Sequence, residues 1–282
     1  MKRSTANIAS ALAVMVMLGP SGLPAQLTVI PVTGQIYMLA GEGGNVAVSA
    51  GKDGIVIIDD KYKGRAEQIK SALATLKMGE VQYILNTHHH GDHTGTNDVF
   101  GLTVPIVAHE NVRKRLIEGD LPESAWPVIT FNDQLALHFN GEKLQARHYP
   151  ASHTDGDLIV TFTESGVVAM GDLMFSGRFP YVDMGSGGTV AGLIVSIEQI
   201  LSELPADVWL IPGHGPLSRR SDLVDYLNML KETTDYIRKE MSRGRDLEKV
   251  REEGLPKKWA SWSWSFINEG RWIETIYKSY QE

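Results

Sequence analysis

Short apolar runs, separated by glycine and charged residues, fill the first part of the chain after a leading apolar segment. Runs of this length that are rich in β-branched residues are typical of strands joined by turns. The pattern predicts an opening meander of four strands, at residues 27–32, 35–40, 45–49 and 54–59.

Helical spacing appears after this meander. Ile69, Leu73 and Leu76 recur every three or four positions, which predicts a helix over residues 65–76. The apolar run at 81–85 ends in polar residues and predicts a buried strand. Further predicted strands lie at residues 106–108, 135–139, 143–148, 158–163, 167–170 and 208–211, and further helices at 110–117, 190–204 and 221–241.

These elements form two β-rich halves that each carry helices. We therefore expect an α/β (α+β) fold, a four-layer αββα sandwich with two sheets inside and helices outside. Because no linker rich in proline or serine divides the chain, residues 26–282 are predicted to form a single domain. Its helical tail starts at about residue 221, and we expect the tryptophans of this tail to pack on the body, since large aromatic residues mostly serve burial.

The first residues follow a different pattern. Lys2 and Arg3 precede an apolar stretch at 8–18, and Gly19-Pro20 would break a helix there. This layout predicts a secretory signal peptide over residues 1–25 and an exported, periplasmic protein. The stretch falls short of the roughly 20 residues that span a bilayer, so we expect no stable membrane anchor.

Composition narrows the possible partners and ligands. A formal net charge of −7 and a pI near 5.7 argue against nucleic-acid binding. The chain contains no cysteine, which excludes disulfides and thiolate metal ligands. Phosphate-rich polymers are therefore not expected as partners, and the sequence leaves the oligomeric state open.

A histidine cluster directly follows the predicted strand at 81–85. Within six residues it places four potential metal ligands, His88, His90, Asp92 and His93, around a turn that Gly91 permits. One such segment can serve two adjacent metals. A catalytic zinc ion takes three protein ligands and keeps a position open, so other segments must contribute.

Three further candidates lie at the boundaries of predicted strands. His153 precedes the strand at 158–163, Asp172 follows the strand at 167–170, and His214 follows the strand at 208–211. Side chains on loops held by strands are the usual carriers of catalysis.

The motif His88-x-His90-x-Asp92-His93, followed by His153, Asp172 and His214, resembles the ligand signature of the metallo-β-lactamase fold superfamily. The resemblance covers residues 27–216 and implies an αββα sandwich with two Zn²⁺ ions per chain; the same donors also suit iron or manganese. It implies that His88, His90 and His153 hold one ion, that Asp92, His93 and His214 hold the other, and that Asp172 bridges them.

Two metals held in this way imply a hydrolase that uses a metal-bridging hydroxide, because a metal pair can lower the pKa of bound water toward ~7. By the same resemblance Asp92 is the candidate catalytic residue that moves a proton to the leaving group. Asp59 resembles an early aspartate that supports the histidine segment through hydrogen bonds.

The substrate is less sharply predicted. Aspartate at the bridging position resembles thioester, lactone and phosphodiester hydrolases, whereas export favours β-lactams. Because no arginine cluster suited to phosphate accompanies the candidate ligands, we expect the partner to be a small-molecule substrate that is a carboxyl derivative: a β-lactam, lactone, ester or thioester. The apolar residues after Asp172 predict a substrate cleft formed by Phe175, Phe179 and Tyr181.

Three alternatives remain at this point. The first is a phosphodiesterase or sulfatase-type hydrolase of the same fold, and the second is an iron-dependent oxidoreductase. The third is a noncatalytic periplasmic metal-binding protein related to quinoprotein systems, which the complete ligand set disfavours. Metal content separates the second from the others.

Overall fold

The computed structural model describes residues 26–281. The predicted signal peptide at residues 1–25 lies outside the described residues. Among the helices that are described, none combines the length and the apolar character needed to cross a membrane.

The first sheet contains seven strands in the order of the chain. Its first four strands form an antiparallel meander, and the fourth to the seventh pair in parallel. The strands are β1 (Thr28–Thr33), β2 (Ile36–Ala40), β3 (Val46–Gly51), β4 (Gly54–Ile58), β5 (Val81–Leu85), β6 (Ile106–His109) and β7 (Ile129–Phe131).

The second sheet contains six strands in the order β13-β12-β11-β10-β9-β8. Only the β11–β12 pair of this sheet is parallel; the other pairs are antiparallel. The strands are β8 (Gln134–Phe139), β9 (Glu142–His148), β10 (Leu158–Phe162), β11 (Val167–Phe175), β12 (Trp209–His214) and β13 (Ser218–Arg219).

Helices lie between the strands and at the carboxyl end. They are α1 (Ala66–Ala74), α2 (Gly91–Thr94), α3 (Asn97–Phe100), α4 (Glu110–Glu118), α5 (Val190–Glu203), α6 (Arg220–Ser242), α7 (Leu247–Glu253) and α8 (Glu269–Ser279). Short 3₁₀ turns occur at Glu123–Ala125, Met184–Ser186 and Lys257–Trp262.

Apolar clusters lie between the layers and hold them together. The central cluster packs side chains of the first sheet, such as Val56 and Leu85, against side chains of the second, such as Val160 and Ile211. One outer cluster joins the first sheet to α1 and α3. The other joins the second sheet to α5, α6 and α8, and Trp272 lies in it fully buried. This arrangement confirms the predicted αββα sandwich.

Two strands extend further than their apolar runs indicate. β11 continues to Phe175 and β12 to His214, so Asp172 lies within a strand, whereas the sequence predicts it on the loop after one. The cause is Gly171, whose positive φ of 49° accompanies a shift in the β11–β12 register. This irregularity lets the chain carry a polar residue through the strand without losing its pairing.

The candidate ligands are positioned by the parallel strand pairs of the two sheets. β4 and β5 end side by side at one edge of the first sheet, and β11 and β12 do so at one edge of the second. The segments that follow β4 and β5, together with the last residues of β11 and β12, carry most of the candidate ligands. Ligand sites at the carboxyl ends of parallel strands are common in α/β proteins.

Candidate metal centre

The histidine segment after β5 is folded into a tight turn by its own polar groups. Asn86 Nδ2 donates to the carbonyl oxygen of His93 at 3.2 Å, and Thr94 Oγ1 donates to that of His90 at 3.1 Å. The short helix α2 begins at Gly91. His88 and His93 are fully buried, and the Nε2 atoms of both rings face Asp172 of the second sheet, at 3.8 and 3.1 Å.

The first group of donors contains three histidine nitrogens and one carboxylate. His90 Nδ1 lies 3.1 Å from His88 Nε2 and 2.9 Å from His153 Nε2. Asp172 Oδ2 lies 3.5 Å from His153 Nε2 and 3.8 Å from His88 Nε2. All four ligand atoms fall within 4.8 Å of one another.

The second group adjoins the first. Asp92 Oδ2 lies 3.2 Å from His214 Nε2 and 3.6 Å from His93 Nε2. Asp172 Oδ1 lies 3.1 Å from His93 Nε2 and 3.5 Å from His214 Nε2. One oxygen of Asp172 therefore faces each group, and the structure brings all seven predicted residues together.

The outer nitrogens of four rings are held by oxygen atoms. Thr87 Oγ1 donates to Asp59 Oδ2 at 2.7 Å, so it accepts from His88 Nδ1 at 3.0 Å. The other three acceptors are Asp183 Oδ2 for His90 Nε2 at 3.0 Å, Asp59 Oδ2 for His93 Nδ1 at 2.7 Å and Tyr181 O for His153 Nδ1 at 2.7 Å. A neutral ring that donates outward presents a lone pair inward, as metal ligation requires.

This donor set fits metal ions. Ligands about 2 Å from a zinc ion in tetrahedral geometry lie roughly 3.3 Å from one another, close to the separations above. His93 Nε2 and Asp172 Oδ1 are buried and make no hydrogen bond to any residue in the described part of the chain. A cation between them would satisfy both atoms, since buried polar groups need partners.

The charges of the centre agree with this fit. Burial lowers the pKa of His88 well below its usual value and lowers that of His153, which keeps these rings neutral. For His93 and His214 the effect of burial, which lowers the pKa, is outweighed by the neighbouring carboxylates, chiefly Asp172. The net pKa of His93 is well above its usual value, and that of His214 is raised to about 9. The negative field that holds these protons would equally attract a cation.

Asp59 contacts both the start of the histidine turn and the ring of His93, which agrees with the supporting role that the resemblance implies. Its Oδ1 accepts from the Thr87 backbone amide at 2.7 Å, and its Oδ2 accepts from Thr87 Oγ1 and His93 Nδ1, both at 2.7 Å. The carboxylate is buried. It therefore fixes the start of the histidine turn and the orientation of a candidate ligand at the same time.

Two glycines allow the backbone to approach the centre. A Cβ atom on Gly44 would lie 2.3 Å from the His93 ring, and one on Gly213 would lie 2.0 Å from Asp172 Oδ1.

The loop around Gly44 is held by Lys61, whose Nζ donates to the Gly44 carbonyl at 2.7 Å. Burial lowers the pKa of Lys61 to about 8. Sequence reasoning did not single out Lys61, because nothing in its local pattern predicts burial.

A cavity of about 730 Å³ opens over the donors. Phe175 and Tyr181, two of the three residues predicted to form a substrate cleft, line this cavity. Phe179 does not: it is fully buried and stacks on Trp272 with 6.1 Å between ring centroids. Phe179 therefore packs in the core cluster that contains Trp272, and not in the cavity wall where the sequence predicts it.

The carboxyl-terminal tail contributes to the cavity wall. Trp264 and Phe266 line it, whereas the sequence predicts that the tryptophans of the tail serve packing alone. Trp272 does pack as predicted, with no exposed surface. Only the path of the chain between α7 and α8 turns residues 264 and 266 toward the donors, and that path has no signature in the sequence.

Asp183 is a further residue of the centre that the sequence pattern does not indicate. It caps the 3₁₀ turn at Met184–Ser186 and accepts from the outer nitrogen of His90. Its backbone amide donates to the His153 carbonyl at 2.9 Å. It thus links two candidate ligands of the first group.

We expect Asp183→Asn to lower zinc affinity about tenfold. The side-chain nitrogen of the new asparagine would face His90 Nε2 and favour the His90 tautomer whose proton lies on Nδ1. Nδ1 is the nitrogen that faces the other ligand atoms of the first group. Competition with a chromogenic chelator measures this. The exposed Asp133→Asn is the matched control, and equal affinities for the two variants would contradict the assignment.

The sequence as a whole agrees with the geometry. The family model of the metallo-beta-lactamase superfamily matches residues 39–226, about two thirds of the chain. The chain belongs to the metallo-beta-lactamase superfamily. All seven predicted ligand residues fall inside the matched range, whereas Trp264 and Phe266 lie beyond it.

Individual members of the superfamily are similar over part of their length. A hydroxyacylglutathione hydrolase from Polaromonas sp. is 27% identical over 175 residues, 58% of this chain and 63% of the relative. The probable metallo-hydrolase YqjP of Bacillus subtilis is 34% identical over 217 residues, 61% of this chain and 68% of the relative. The chain spans about half to two thirds of the length of the curated relatives that it matches.

Solved structures of the superfamily share the fold. A metallo-beta-lactamase from Pontibacter korlensis superposes with a TM-score of 0.64 at 20% identity, covering 73% of this chain and 99% of that one. The DIM-1 metallo-beta-lactamase gives a TM-score of 0.65 at 17% identity, covering 73% and 98%. At these identities the likeness concerns the architecture alone.

Proposed function

We propose that this protein is an exported dinuclear zinc hydrolase that acts on a carboxyl derivative, namely a β-lactam, lactone, ester or thioester. The observation that carries the proposal is the position of Asp172. Each of its oxygens faces a separate group of nitrogen donors, at 3.1–3.8 Å. A buried carboxylate between two such groups is suited to join two metal ions.

The relatives support the reaction class. Relatives from Polaromonas sp. and Nitrosococcus oceani are named hydroxyacylglutathione hydrolases, and one from Schizosaccharomyces pombe is named a probable one; hydroxyacylglutathione is an acyl derivative. YqjP is named a probable metallo-hydrolase. The pattern of residues 1–25 supports export.

The residues divide the work as follows. His88, His90 and His153 would hold one ion, Asp92, His93 and His214 the other, and Asp172 both. A bound zinc pair supplies Lewis acidity, which makes hydrolysis accessible at neutral pH. Asp92 lines the cavity as well as the second group, so its carboxylate can accept a proton and pass it to a leaving group.

The cavity favours a carboxyl derivative over a phosphodiester. Arg178 is the one arginine or lysine among the described residues that line it, whereas phosphate recognition commonly uses several cationic groups. A volume of about 730 Å³ suits a drug-sized molecule.

The proposal is tested by metal analysis and turnover on the purified full-length product. We expect about two zinc ions per chain, and kcat/KM for one of a cephalosporin, a lactone or a thioester that exceeds the value for bis(4-nitrophenyl) phosphate. Preferential cleavage of the phosphodiester, or no turnover of any substrate, would contradict it. Bound iron with oxygen consumption would favour the oxidoreductase alternative. Recovery in the cytoplasm with residues 1–25 retained would contradict export.

A further inference from the structure

The candidate histidine ligands differ in what holds their outer ring nitrogens. An oxygen atom holds this nitrogen in His88, His90, His93 and His153. His214 is different: its Nε2 faces Asp92 and Asp172, but its Nδ1 makes no hydrogen bond to any residue between positions 26 and 281. Since the ring torsion of histidine has only broad preferences of its own, the orientation of His214 needs another cause.

Two aromatic rings contact the ring of His214. Phe175 stacks on it, with 5.1 Å between the centroids and 16° between the planes. Trp264 lies 5.8 Å from it at 36°, and the rings of Phe175 and Trp264 are 6.2 Å apart. The three centroids thus form a triangle, so the two rings approach His214 from different directions. Aromatic rings attract one another in this range of separations, and together they restrict the rotation of His214.

These two rings come from distant parts of the chain. Phe175 is the last residue of β11, the strand that carries Asp172. Trp264 belongs to the carboxyl-terminal tail and lies beyond residue 226, where the match to the family model ends. The body of the protein therefore supplies one side of the packing around His214, and the tail supplies the other.

Trp264 is itself held in place. Its Nε1 donates to the carbonyl oxygen of Phe179 at 2.9 Å, and its backbone amide donates to that of Ile267 at 3.1 Å. The amide of Phe179 donates in turn to the Trp262 carbonyl at 2.9 Å. Because Phe179 is fully buried against Trp272, the indole ring is attached to the core and can serve as a fixed wall for its neighbour.

We propose that Trp264 is a positioning residue of the second group of donors: its ring keeps His214 turned with Nε2 toward Asp92 and Asp172. The tail thereby sets the affinity of the second group for its metal ion. The inference rests on the dinuclear centre of the proposed function and goes beyond it, because it makes one of the two affinities depend on a segment outside the matched range.

The first group has no such dependence on the tail. The oxygen atoms that hold its histidines belong to Thr87, Asp183 and Tyr181. All three residues lie within the range that the family model matches. A change at Trp264 should therefore affect the two metal ions unequally, which a general loss of stability would not do.

Stepwise zinc binding tests the inference. The full-length product is stripped of metal, and the two dissociation constants are measured by competition with chromogenic chelators. His214→Ala identifies the step that belongs to the second group. In Trp264→Leu we expect the affinity of this step to fall about tenfold and that of the other step to change less than about twofold. Trp264→Phe keeps an aromatic ring and should recover part of the loss.

Cobalt(II) gives a spectroscopic readout of the same effect. Its visible absorption depends on the arrangement of its ligands, as transition-metal geometry does in general. In Trp264→Leu the bands that appear with the second-group step should change, whereas those of the other step should match the wild type. Unchanged spectra at both steps would overturn the positioning role.

Trp262→Leu is the matched control. Trp262 lies in the same tail, but its ring stacks on Tyr226 at 6.3 Å and does not line the cavity. The control should leave both zinc affinities unchanged. If Trp264→Leu retains both affinities, or weakens both equally, the ring does not position His214 and the inference is wrong.

The outcomes separate this inference from the hydrolase assignment. If the second-group affinity falls selectively but no substrate is turned over, the hydrolase assignment fails and the positioning role stands. If substrate is turned over and Trp264→Leu keeps both affinities, the positioning role fails and the hydrolase assignment stands. A wild type that takes up only one zinc ion would overturn the dinuclear centre and this inference with it.

Discussion

Asp172→Ala is expected to lower kcat/KM on the order of 10³-fold and to reduce bound zinc well below two ions per chain. The carboxylate is the one candidate ligand that faces both groups of donors, so its loss removes a ligand from each ion. Two positive centres would also come close together without the negative charge that separates them. Metal analysis after gel filtration, combined with turnover of the best substrate, measures both effects.

Asp207→Ala is the control for this substitution. Asp207 is an aspartate with 95% of its side chain exposed, and it pairs with Arg219 on the surface. Its loss should change neither metal content nor turnover. An Asp172→Ala variant that keeps two zinc ions and more than a tenth of the activity would show that the carboxylate does not join the two groups.

Asp59→Ala should destabilise the fold by about 3 kcal/mol and weaken zinc binding by about 10–100-fold. The substitution leaves the buried Thr87 amide without its hydrogen-bond acceptor and removes the acceptor that orients the ring of His93. It also places alanine at a φ of 67°, a left-handed conformation that aspartate tolerates better than alanine. Urea unfolding of the chelator-treated protein and zinc competition measure the two effects separately.

Asp59→Asn distinguishes the two causes of this loss. Asparagine tolerates the left-handed backbone, and its Oδ1 can still accept from the Thr87 amide. Its side-chain NH2 then takes the place of Asp59 Oδ2 and cannot accept from His93 Nδ1. It should therefore retain most of the stability while zinc affinity stays low. An Asp59→Ala variant within 0.5 kcal/mol of the wild type, roughly the range of ordinary surface substitutions, would contradict the role assigned to this carboxylate.

Regular elements could be predicted from the sequence because their patterns are local. β5 (Val81–Leu85) has the predicted bounds. Each end of α5 and α6 lies within one residue of the predicted end. β7 (Ile129–Phe131) was not predicted, since three residues carry too little periodicity to be distinguished from a loop. The extension of β11 past Met170 depends on the irregularity at Gly171, which no hydrophobic pattern indicates.

The candidate ligands could be predicted because four of them share one short motif and the others follow apolar runs. The residues that surround them could not. Asp183 becomes a partner of His90 across 93 positions of the chain, and Trp264 reaches the cavity from a tail whose local sequence predicts only burial. Such contacts depend on how distant segments pack, and the sequence shows them only after the fold is known.

The donors of the centre belong to both sheets. The histidine turn and Asp59 follow strands of the first sheet. In the second sheet, His153 lies on the loop between β9 and β10, and Asp172 and His214 lie in β11 and β12. Metal ions bound there would cross-link the two sheets, in addition to the apolar cluster that packs between them. Because a ligand that binds only the folded state stabilises it by mass action, the free energy of unfolding would rise with the concentration of the free metal ion in its surroundings.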